Sequence, residues 1–139
     1  VLSALAAVPS EADQKKKKKE RTAETGYVGP ALGAAGAGVA CSAPPVGCGV
    51  FEVKRGERFV QLEIQDALGQ PVYASVYTFG YTDGTDTHDH ICGASDDPLA
   101  MTRGLKELVI VIESTGGALA GCPGPPSAGT IVATFSNRP

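Results

Sequence analysis

Between Val60 and Gln65 apolar and polar side chains alternate without a break. Successive side chains of an extended strand point to opposite faces, so Val60, Leu62 and Ile64 mark a buried face and Gln61, Glu63 and Gln65 a solvated one. That period of two excludes a helix there, and the flanking sequence repeats the theme. Val50-Phe-Glu-Val53 starts a strand, Lys54-Arg55-Gly56-Glu57 turns the chain, and Arg58 to Gln65 is the next strand. Asp66 to Pro71 is a second turn. Val72 to Phe79 follows, with Val72, Ala74 and Val76 on one face and Tyr73, Tyr77 and Phe79 on the other. Both faces are partly apolar, which predicts a central strand covered on both sides. Leu105 to Glu113 is the most apolar run; Val109-Ile-Val-Ile112 is β-branched throughout, which costs a helix side-chain freedom and suits a sheet. Thr130 to Phe135 directs Ile131, Ala133 and Phe135 to one face, and Gly26 to Leu32, interrupted by Pro30, fits an edge strand.

Eighteen glycines and ten prolines leave little room for long helices. Short strands, frequent turns and no helical periodicity predict an all-β antiparallel sandwich of about seven to eight strands. We place it at residues 25–139, behind a disordered tail at 1–24. Val1 to Val8 is apolar and too short to span a bilayer. It suits the end of a signal peptide, with Ala-Val-Pro-Ser-Glu-Ala12 as a cleavage region. Lys15 to Lys19 then reads as a solvated linker, with adhesion to an anionic cell-wall polymer or lipid headgroups as its functional alternative.

Charge is unevenly spread along the chain. Residues 1–24 hold six basic and four acidic side chains, and the rest hold six basic and eleven acidic ones. An acidic body argues against nucleic acid as a partner, because phosphate binding requires a basic face.

Four cysteines, Cys41, Cys48, Cys92 and Cys122, permit three pairings. We favour Cys41 with Cys48, across a loop that Pro44 and Pro45 already bend, and Cys92 with Cys122. Their spacing lacks the paired knuckles of a zinc site. Disulfides imply an oxidising compartment, so the chain reads as secreted.

The order Phe51-x-Val53-x-x-Gly56, Phe59-Val-x-Leu-x-Ile64-x-Asp66-x-x-Gly69, then Val72 resembles bacterial pre-peptidase C-terminal type domains. The likeness covers roughly residues 50–80 and the closing strand. It implies a small secreted jelly-roll-like sandwich with an accessory or binding role rather than catalysis; a cell-wall polymer, glycan or protein is the ligand we consider for such a module. It identifies no site.

One stretch carries chemistry. Residues 80–92 contain both histidines, His88 and His90, with Asp83, Asp86 and Asp89 between and before them; Asp96 and Asp97 follow. On a strand, His88 and His90 would project from one face about 6–7 Å apart. With a carboxylate from Asp83, Asp86 or Asp89 they would form a divalent-metal site and open the alternative of a metal-dependent enzyme. The known patterns fail: cupins need a third histidine, the calcium loop needs other acid spacings, and H-E-x-x-H is absent. A solvated turn is the simpler reading. No serine sits in a nucleophile elbow, and Gly33 to Gly38 is no phosphate loop, so the sequence specifies no catalytic residues and no cofactor.

Overall fold

The computed structural model describes residues 18–29, 41, 43–78, 89–113, 122 and 128–139. Among them are eight strands and no helix: β1 (Glu20–Val28), β2 (Cys48–Glu52), β3 (Phe59–Asp66), β4 (Tyr73–Tyr77), β5 (Asp89–Cys92), β6 (Leu99–Ala100), β7 (Glu107–Ile112) and β8 (Ala128–Ser136). They form two four-stranded antiparallel sheets, ordered β1-β8-β3-β6 and β2-β7-β4-β5, packed as a sandwich.

The alternation of β3 does what its period requires. Val60, Leu62 and Ile64 are at most 1% exposed and meet Ile131, Ala133 and Phe135 of β8 in one core, opposite Ala74, Val76, Leu108, Ile110 and Ile112 of the second sheet. The central position expected for β4 is also found: it lies between β7 and β5, and all five of its residues are buried. Its second face joins Cys48, Val109 and Val111 through Tyr77 in a separate apolar cluster on the outer side of that sheet. This explains why β7 reads as a continuous apolar run rather than an alternating one.

Three elements differ from the sequence expectation. The edge strand starts at Glu20, not Gly26, so part of the basic segment belongs to the sheet. Its full length pairs with β8, from Glu20 opposite Ser136 to Val28 opposite Ala128. Arg21, Ala23, Thr25 and Tyr27 turn inward, and because the first three are small or polar no apolar period shows. β5 occupies the end of the acidic stretch. β6 has only two residues, too few for any period to show.

At Gly129, which lies opposite both Tyr27 of β1 and Asp66 of β3, the absence of a side chain is a packing requirement. A Cβ there would strike the Gln65 carbonyl oxygen and lie 2.7 Å from both Cε2 and Oη of Tyr27. The Tyr27 hydroxyl is buried beside it without a hydrogen-bond partner among the described residues. Burial, then the nearby Asp66 charge, push it up to about 12. Gly129→Ala should cost about 1–3 kcal/mol through overpacking, read as a lowered urea midpoint at constant m value.

Candidate functional site

Two places concentrate polar chemistry. The first is the outer face of the second sheet. Antiparallel register sets His90 directly opposite Ser75, and Tyr73 lies two residues earlier on the same face. Just beyond β7, Glu113 donates its backbone N–H to the Tyr73 carbonyl at 3.1 Å. Three oxygens therefore approach one ring nitrogen: His90 Nδ1 lies 3.1 Å from Tyr73 Oη, 3.2 Å from Ser75 Oγ and 3.7 Å from Glu113 Oε2. The imidazole also stacks on the Tyr73 ring at 5.7 Å and 7°. Burial, then the charge on Glu113, push the Tyr73 phenol up, so it remains a neutral hydrogen donor at ordinary pH.

A serine–histidine–acid relay needs the hydroxyl on one ring nitrogen and the acid on the other. Here Ser75 and Glu113 address the same nitrogen, and Ser75 is 0% exposed. The cluster fastens β5 to β4 and to the end of β7; it does not present a nucleophile.

The metal-site residues are only partly brought together. Asp83, Asp86 and His88 lie outside the described residues. Asp89 and His90 are successive residues of β5, opposite Val76 and Ser75 respectively, so their side chains leave by opposite faces. Asp89 accepts a hydrogen bond from Thr78 Oγ1 at 3.4 Å. Among the described residues no group of three or more His, Cys, Asp or Glu could hold a metal ion.

The cysteines pair as Cys41–Cys48 and Cys92–Cys122, with Cα separations of 5.9 and 5.8 Å. The first joins the loop before β2 to the outer apolar cluster, where Cys48 is fully buried. The second anchors the end of β5.

The second place was not visible in the sequence. At the end of the sandwich where β2 leads into β3, the 54–58 turn meets the 103–106 turn and the residues after β8. Val53 donates to the Lys106 carbonyl, Arg58 to Ser136, Met101 to Arg58, and the Lys19 amide to Asn137 Oδ1. All nine basic side chains of the described residues gather here: Lys18, Lys19, Arg21, Lys54, Arg55, Arg58, Arg103, Lys106 and Arg138. The acids at the same end are Glu20, Glu52, Glu57, Glu107 and, on the far edge strand, Asp89. A body that is acidic in total thus carries a basic end. An open cleft of about 730 Å³ lies there, lined by both turns and Asn137.

Glu57 is the acid of this cleft, and it is occupied. Arg21 grips its carboxylate with Nη2 at 2.7 Å and Nε at 2.9 Å, and the Lys54 amide donates to it at 2.7 Å. Burial opposes its ionisation, but the Arg21 and Lys54 bonds and charges outweigh burial and hold it below the usual carboxylate range. The stability it contributes is whole above the unfolded value near pH ~4.3 and is lost as pH falls through the lower folded value. Glu57→Gln should therefore be about 1 kcal/mol less stable than the parent at neutral pH. The difference should shrink in acid; urea midpoints at the two pH values measure it, and a gap that widened in acid would refute the assignment.

No helix among the described residues is long and apolar enough to cross a membrane. Compared with protein-family models, curated proteins and solved structures, the chain matches none.

Proposed function

We propose that this chain is a secreted, non-catalytic binding module of accessory or surface-interaction type, as the resemblance to pre-peptidase C-terminal domains implies. One observation carries the reading. The serine hydroxyl beside the imidazole, Ser75 Oγ, is wholly buried and shares His90 Nδ1 with the acid, so it is not presented to a solute as a nucleophile. What faces solvent instead is a cleft formed by turns mounted on two rigid sheets, an arrangement typical of binding sites. The two disulfides support an oxidising compartment, where such cross-links persist.

Calorimetric titration of the whole chain against charged and neutral cell-wall polysaccharides, peptidoglycan fragments and extracellular proteins tests the proposal. Saturable binding without chemical change of the ligand is the expected result. Turnover of any of them, or its loss in Ser75→Ala or His90→Gln, would replace the module with an enzyme.

A further inference from the structure

Building on the binding-module reading, we infer that the cleft between the 54–58 and 103–106 turns takes a linear polyanion: a polysaccharide or polyol chain bearing sulfate, phosphate or carboxylate groups. Lys54, Arg55, Arg58, Arg103 and Lys106 line it, and all five are exposed. None of their side chains makes an ion pair or a hydrogen bond among the described residues. The one acid of the lining, Glu57, is consumed by Arg21 and the Lys54 amide. The site therefore gathers five cations, none in an ion pair among the described residues, around one acid already held by Arg21.

That arrangement is not forced by composition. The chain has fifteen acids for twelve basic residues, yet only Glu57 among them lines the cleft. Cations held close together repel each other, and the repulsion is relieved by an anion that spans them. The frame is rigid: Glu57 donates to the Lys54 carbonyl, Leu105 to Thr102, and Arg58 and Val53 bond across the turns. Arginine and lysine together suit oxyanions, arginine by its two-pronged donor geometry and lysine as a mobile point charge.

Shape and lining select the ligand class. The recess is concave, with Val53 and Leu105 as its aliphatic patches, so it fits a chain lying in it better than a flat bilayer. No aromatic side chain lines it. Single-stranded nucleic acid draws much of its affinity from bases stacked on aromatic rings. A charged polysaccharide needs the cations alone.

The experiment measures binding of a labelled heparin-derived octasaccharide to the whole chain, beside an oligothymidylate of similar charge, neutral dextran, and vesicles containing anionic lipid. Heparin oligosaccharide should bind best, and affinity should fall by tenfold or more between about 50 and about 200 mM salt as counterions are exchanged. Arg55→Ser combined with Arg103→Ser should weaken binding about tenfold at low salt and lower the slope of log affinity against log salt. Its melting temperature should not change, since neither side chain supports the fold. Replacing Lys15 to Lys19 by serine should leave most of the affinity in place. Unchanged affinity in the double variant, loss confined to the lysine-run variant, or tighter binding of oligothymidylate or vesicles would each overturn the assignment. Failure of every polyanion, with a neutral glycan or a protein still bound, would remove this cleft but keep the module; turnover of a probe would remove the module itself.

Discussion

Opening both disulfides should bring the domain close to unfolding at physiological temperature. By loop-closure entropy the Cys92–Cys122 bridge contributes about 3–4 kcal/mol and Cys41–Cys48 about 2–3 kcal/mol, less any entropy the reduced chain never regains. Domains of this size are stable by only about 5–15 kcal/mol in total. A combined loss near 6 kcal/mol should lower the melting temperature by roughly 20 °C or more, seen by calorimetry with and without a phosphine reductant. The two bridges should differ in kind. Cys92→Ser with Cys122→Ser tests chain constraint, because it releases the 30-residue separation that hangs from the end of β5. Cys48 is also packed against Tyr77, Val109 and Val111, so Cys41→Ser with Cys48→Ala removes packing as well as constraint. A shift of only a few degrees on full reduction would mean that the two sheets stand without their cross-links.

Phe135→Ala should be the most damaging single substitution in the core, at about 3–5 kcal/mol. β8 lies between β1 and β3, and Phe135 is 0% exposed. Its ring meets Phe51 of the other sheet edge-on, at 6.1 Å and 65°. The Arg21 guanidinium lies over the same ring, 4.6 Å from its centroid. One side chain thus joins the two layers and seats the arginine that occupies Glu57. Phe135→Leu, which keeps most of the volume, should cost roughly 1–1.5 kcal/mol by the usual tolerance of cores for apolar exchange. Urea unfolding of both variants at constant m value measures the pair. Equal losses would show that the ring's geometry, rather than its bulk, holds the layers.

Local pattern revealed the sheets because their physics is local. The period of two in Val60, Leu62 and Ile64 needs no partner to be read. The doubly apolar faces of Tyr73 to Tyr77 correctly imply a covered central strand. β1 escaped because its inward positions, Arg21, Ala23 and Thr25, are small or polar, and register with β8 decides their fate. β6 consists of Leu99 and Ala100, fixed by pairing with Val60 and Phe59 rather than by any preference of its own.

The site was less legible for the same reason. Residues 54–58 read as a turn with a permissive glycine, and residues 103–106 carry no signal alone. Only the pairing of Glu52 with Glu107 brings the two turns to one end. Net charge concealed the result, since eleven acids spread along the body outnumber six bases gathered together. The histidines drew attention through their rarity. The structure gives His90 a tethering role beside Ser75, which register alone could reveal.

The order of strands also governs when the protein can fold. The strand at the centre of the first sheet is the last in sequence, and its nine-residue partner is the first. Until residues 128–136 have been made, β1 and β3 have nothing to bind between them. Closure must await the end of that stretch and then join segments a hundred residues or more apart, which makes for slow folding.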